Sequence, residues 1–170
     1  MIYTNSACSL WRTPFGEEFS RMVQEVRSHL TIVSPYIRLA GVEGLCNALL
    51  ENSRLSSLDM KVLTRQDPEA LPIGTLERQA LLDLLHFGEK HPLSLRLRWI
   101  PNLHTKLYLF DDENALITSA NLTEQGIFGD EGKGDLEYGV VLWERKLVER
   151  VSQDVERYWQ WATEVTLKDL

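Results

Sequence analysis

The chain has 170 residues, 44% hydrophobic and 25% charged, and 18 Lys and Arg against 25 Asp and Glu leave a net charge of −7. That balance excludes a fibre or a disordered chain, and a length near the common domain size buries a sizeable core, so a single domain over residues 1–170 is expected. An acidic chain also argues against a surface that binds phosphate backbones everywhere, though a local basic groove remains open to it.

No window approaches the ~18 uninterrupted apolar residues of a membrane span, and Met1–Leu10 lacks the basic-then-apolar order of a secretory signal. Two cysteines, Cys8 and Cys46, are too few for a disulfide framework and have no zinc-site spacing. The expectation is a cytoplasmic protein without membrane contact or metal, with reduced thiols and Cys46 in the core.

Phe15, Phe19, Met22, Val23, Val26 and Leu30 recur every three or four residues, which predicts a helix over Phe15–His29. Leu30–Tyr36 reads as a β-branched apolar strand, Gly41–Glu51 as a helix and Met60–Thr64 as a short strand. Thr75–Phe87 gathers Leu76, Ala80, Leu81, Leu84 and Leu85 on one helical face after a Pro- and Gly-containing loop. The period then changes. Leu95, Leu97 and Trp99 alternate with Arg96 and Arg98, and strands are predicted over His104–Phe110, Ala115–Asn121 and Leu136–Leu142. Asp111–Asn114 is short enough to join two of these as a hairpin. Arg145–Ala162 closes the chain as a helix packed on the sheet, with Trp159 and Trp161 expected to anchor it. The sum is an α/β fold, a mixed β-sheet sandwiched by helices.

Alternation puts His104, Lys106, Tyr108 and Phe110 on one face of their strand, and Ser119 and Asn121 share a face of the next. If the two strands pair, an imidazole, an ammonium, a hydroxyl and an amide converge at one end of the sheet. That set suits a phosphate: Lys supplies charge, Ser and Asn supply donors, and His supplies a nucleophile or proton carrier. Arg96 and Arg98 could steer a nucleic-acid backbone or line a solvated strand face, and Tyr36 could stack on a base or sugar or belong to the core.

His104-Thr-Lys106-Leu-Tyr-Leu-Phe-Asp111 has the H-x-K-x4-D spacing, which this composition produces by chance with a likelihood of about 0.7%. It resembles the HKD motif of the phospholipase D superfamily. Thr118-Ser119-Ala120-Asn121 falls where that family carries G-[ST]-x-N, with Thr118 in place of the Gly. Ile32–Ile37 resembles the family's first core strand, and Leu136–Val140 its later acidic strand; the likeness spans about residues 30–142.

The resemblance implies a mechanism without metal or cofactor, in which His104 attacks phosphorus and a second histidine protonates the leaving oxygen. Lys106 and Asn121 would bind phosphate oxygens, Ser119 would hold the phosphate or the His, and Glu137 would orient the imidazole. Asp111 would be structural, since alternation sets it on the face opposite His104. One motif in a chain whose family needs two implies a homodimer with a composite site on its two-fold axis. The Gly-rich loop from Gly126 to Asp135 would cover the site or touch substrate through Lys133, or be a solvated connection. Short single-motif chains of this superfamily resemble bacterial endonucleases, so DNA is the expected partner, in restriction or phage defence and with other subunits for targeting. The alternatives are turnover of a phospholipid or small phosphodiester, and a nucleic-acid-binding subunit without turnover.

Overall fold

A computed structural model describes residues 3–4, 7–65, 76–130, 132 and 134–170, and these form nine strands and four helices. In chain order they are β1 (Tyr3–Thr4), β2 (Cys8–Arg12), α1 (Gly16–Glu25), β3 (His29–Val33), α2 (Leu39–Leu50), β4 (Asp59–Arg65), α3 (Leu76–Lys90), β5 (Ser94–Ile100), β6 (Leu107–Phe110), β7 (Asn114–Thr118), β8 (Tyr138–Leu142), α4 (Arg145–Trp161) and β9 (Thr163–Val165). All the strands join one sheet in the order β1-β2-β8-β7-β6-β3-β4-β5-β9. β3, β4 and β5 are parallel and linked by the crossover helices α2 and α3. The remaining pairs are antiparallel, and β6 and β7 form the expected hairpin, its turn carrying Asp111 and Asp112 at φ 54°.

Alternation along the central strands feeds two cores. Phe19, Val23, Leu45, Leu49 and Leu84 of the first three helices pack on Leu30, Ile32, Tyr108, Phe110 and Leu116. On the other face, Val148, Val155 and Trp159 of α4 cover Val33, Leu63, Leu107, Leu109 and Ala115. The mixed sheet between helices is thus the predicted fold. None of the described helices is long and apolar enough to cross a membrane.

Several boundaries differ from expectation for identifiable reasons. The first helix stops at Glu25, and Val26 turns to extended geometry (φ −57°, ψ 133°), because Asp111 captures the N–H groups of Arg27, Ser28 and His29 and starts β3 there. β6 becomes regular only at Leu107, β7 ends at Thr118, and β8 starts at Tyr138. Their expected ends leave the sheet at one place, where the chemistry-bearing side chains gather. β1, β2 and β9 have no counterpart in the sequence reading; β1 and β9, of two and three residues, are too short to show a period, whereas β2 is as long as β3. Trp159 is buried, but Trp161 is 70% exposed and anchors nothing, since two residues along a helix turn a side chain to the far side. Neither Cys8 nor Cys46 forms a disulfide, and Cys46 packs against the core, where burial and then the charge of Asp83 push its thiol up to about 12.

Candidate active site

β3 and β4 end, β6 begins, β7 ends and β8 begins at the same end of the sheet. The segment entering β6 is fixed by buried Leu103 and Leu107, and between them His104 is exposed. Lys106 Nζ lies 3.4 Å from His104 Nε2. An ammonium only donates, so this contact selects the tautomer with its proton on Nδ1 and leaves the lone pair on Nε2. A nitrogen lone pair beside an ammonium is chemically able to serve as a nucleophile next to a bound anion.

Across the hairpin, Thr118 N donates to Lys106 O (3.2 Å), which carries the β6–β7 register past the last regular residues. Ser119 then donates its hydroxyl to the Glu137 carboxylate and accepts from Tyr138 N at 3.1 Å. Glu137 is held from the other side by Thr13, whose Oγ1 accepts from Glu137 N at 2.8 Å. Among the described residues no hydrogen bond joins Glu137 to His104; the carboxylate expected to orient the imidazole orients Ser119 instead.

Asn121 follows on a segment tied down by groups distant in sequence. Fully buried Tyr108 donates its hydroxyl to Ala120 O (3.2 Å), and burial pushes that phenol upward, so it stays a donor. Ser34 Oγ accepts from Leu122 N at 3.0 Å, and Ile37 pairs with Leu122. Asn121 O accepts from Thr123 N (2.8 Å) and Ile127 N (3.0 Å), closing a turn so tight that a Cβ on Gly126 would meet that oxygen at 2.3 Å. Asn121 Oδ1 is buried without a partner among the described residues. An amide oxygen only accepts, so it is Asn121 Nδ2 that can donate to an anion.

Of the remaining expected residues, Tyr36 stands at this end, 42% exposed, with its hydroxyl accepting from Arg65 Nη1 at 3.3 Å. The structure does not bring Arg96 or Arg98 to the cluster. Arg96 grips Asp59 at 2.6 and 2.8 Å at the opposite end of the sheet. Arg98 donates to Trp159 O (2.9 Å), with its guanidinium 4.7 Å from that ring. Their shared face was legible; that α4 would cover it was not. Lys133 lies outside the described residues, and the loop before it is moored to the core, with Ile127 buried and Phe128 edge-on to Phe19 at 5.7 Å. Asp111 sits at the far end of β6, away from the cluster.

Sequence reasoning missed Thr13, Ser34 and Arg65. Ser34 alone carried a signal, a hydroxyl closing an otherwise apolar strand.

The sequence model of the family described as "Cardiolipin synthase, PLD-like domain" matches residues 20–159. No curated protein sequence matches the chain. Among solved structures, Nuc from Salmonella typhimurium, a phospholipase D family member, superposes with a TM-score of 0.69 at 16% identity, covering 93% of this chain and 97% of that one. NucT from Helicobacter pylori gives 0.66 at 9% identity over 93% and 98%. TrmBL2, an archaeal chromatin protein described as having a novel mode of DNA binding, gives 0.56 at 14% identity over 92% and 55%. With the family's sequence model covering β3 to β8 and the residues His104, Lys106, Ser119, Asn121 and Glu137 between them, the chain belongs to the phospholipase D-like family.

Proposed function

We propose that the protein is a phosphodiesterase, an endonuclease that hydrolyses DNA without a metal through a phosphohistidine in a site shared by two copies of the chain. The observation that carries this reading is the His104–Lys106 pair, an imidazole with its Nε2 lone pair beside an ammonium. Nε2 attacks phosphorus, the P–N bond forms as the P–O bond breaks, and the protonated histidine of the second copy gives its proton to the leaving oxygen. That histidine, now neutral, takes a proton from water as the water oxygen attacks, the P–N bond breaks, and both imidazoles return to their starting states. Lys106 and Asn121 hold the phosphate oxygens.

A dimer is supported by a bare strip of sheet on the α4 face. Leu10 of β2, Val140 of β8 and Ile117 of β7 are cross-strand neighbours, and Leu10 (38%) and Ile117 (41%) are exposed. Tyr138 continues the strip, and Leu136 is 91% exposed. The strip adjoins Ser119, so a second copy seated there would bring its own His104 toward this one. A role in restriction or phage defence, in the cytoplasm and with targeting by another subunit, fits an enzyme whose net charge opposes DNA.

A second reading, phospholipid or small-phosphodiester turnover, is favoured by the family description, which names cardiolipin synthase. One assay separates the two. The purified protein and His104→Ala are incubated in excess EDTA with single-stranded DNA, duplex DNA, RNA and anionic liposomes. Cleavage of DNA that survives chelation and vanishes in the variant is expected; cleavage abolished by EDTA would sink the mechanism, and liposome hydrolysis alone would select the second reading.

A further inference from the structure

The cluster is flanked on its β3 and β4 side by an aromatic ring and a guanidinium. Tyr36 follows β3, Arg65 closes β4, and Arg65 Nη1 donates to Tyr36 Oη at 3.3 Å. The backbone of Tyr36 is fixed: Ser34 Oγ donates to its carbonyl at 2.8 Å and accepts from Leu122 N, so one hydroxyl moors both Tyr36 and the segment bearing Asn121. Ile37 pairs in parallel with Leu122, and Arg38 N donates to Leu122 O at 3.1 Å, which sets Tyr36 beside Asn121, about 5 Å away across one strand spacing. Ile37 is 2% exposed and Tyr36 42%. A ring that could follow its neighbour into the core is kept in water next to a phosphate-binding amide and held at its hydroxyl by a cation.

We propose that Tyr36 and Arg65 form the subsite for the nucleotide next to the scissile phosphate, with an unpaired base stacked on Tyr36 and the adjoining phosphate met by Arg65. The proposal rests on the nuclease reading and narrows its substrate to single-stranded or locally melted nucleic acid. In a duplex both faces of a base are already covered by its neighbours in the stack, whereas every unpaired base has a π-face to offer. A glycerol phosphodiester has none.

The test compares steady-state cleavage of a single-stranded oligonucleotide, its duplex and an abasic strand of the same length by the full chain and by Tyr36→Leu, Tyr36→Phe and Arg65→Gln. The wild type is expected to prefer the base-bearing strand over the abasic one by about tenfold to a hundredfold in kcat/KM. In Tyr36→Leu the two strands converge, with the loss carried by KM, and Tyr36→Phe keeps the preference. Arg65→Gln weakens both strands and flattens the salt dependence by roughly one phosphate contact. Equal loss on both strands in Tyr36→Leu, preference for duplex by the wild type, or dissociation of Tyr36→Leu into monomers in sedimentation would each overturn the subsite while leaving the nuclease reading intact. Hydrolysis of liposomes with no polymer cut would defeat that reading and the subsite with it.

Discussion

Lys106 Nζ and His104 Nε2 stand 3.4 Å apart although their residues are only two apart on a segment outside regular strand geometry. If His104 Nε2 is the nucleophile proposed above, an ammonium on that nitrogen blocks it until a phosphate draws the ammonium away, and substrate binding would then release the nucleophile. Lys106→Met is expected to lower kcat by about 10²–10³, the scale of losing one preorganised charge. Lys106→Arg does not restore it, because a planar fork cannot replace a point charge on this short reach. Single-turnover rates measure both, and wild-type kinetics in Lys106→Arg would remove the ammonium from the mechanism.

Ser119 and Glu137 act as a unit, since the hydroxyl donates to the carboxylate while accepting the next residue's N–H. Ser119→Ala and Glu137→Gln should each slow turnover by about tenfold or more, and the double variant should cost less than the sum of the two. A double-mutant cycle on kcat/KM gives the coupling; strict additivity would mean that the two side chains serve separate steps.

A site that takes one histidine from each copy makes a specific prediction for mixtures. When wild type and His104→Ala are co-refolded in equal amounts, about a quarter of the dimers carry two histidines, and activity should fall to about a quarter of that of an all-wild-type sample. Independent sites would keep about half. Ile117→Asp, which puts a charge on the bare strip beside the site, is expected to give an inactive monomer by sedimentation, and a fully active monomer would refute the shared site.

The residues of the cluster were legible because their signal is local: His104 and Lys106 are two positions apart, Ser119 and Asn121 likewise, and a strand period sorts faces. Tyr108 and Phe110 do enter one core and Leu107 and Leu109 the other. What stayed hidden acts across the chain. Thr13 meets Glu137, Ser34 meets Leu122, and Arg65 meets Tyr36, and no period announces such pairs. Arg96 and Arg98 show the same limit, as their common face could be read while the arrival of Trp159 over it could not. The ends of β6, β7 and β8 were overextended for a related reason. Past Thr118 the backbone N–H of Ala120 turns to the Thr118 hydroxyl, before Tyr138 that of Glu137 turns to the Thr13 hydroxyl, and ahead of Leu107 the chain meets β7 through Lys106 O, which accepts from Thr118 N.

Asp111 is the motif residue whose work is mechanical. Its carboxylate accepts Arg27 N (2.7 Å), Ser28 N (2.7 Å), Ser28 Oγ (3.0 Å) and His29 N (3.0 Å), and Arg27 Nε lies 3.6 Å away. It thereby pins the hairpin to the start of β3. Burial alone would raise this carboxyl, but the N–H groups of His29, Arg27 and Ser28 outweigh it and hold the group below the usual carboxylate range. A depressed carboxyl contributes stability that is complete above its unfolded value near ~4 and is lost as pH falls through the lower folded value. Asp111→Asn keeps one acceptor oxygen and loses the charge, so it should cost about 1–3 kcal/mol near neutral pH, with turnover per folded molecule unchanged because the clamp is at the far end of β6. Urea unfolding of wild type and variant should show a constant gap from about pH 5 to 8 that closes below about pH 4. A gap that persists undiminished in acid would mean that shape rather than charge makes the clamp, and a loss of turnover at full folding would place Asp111 in the chemistry.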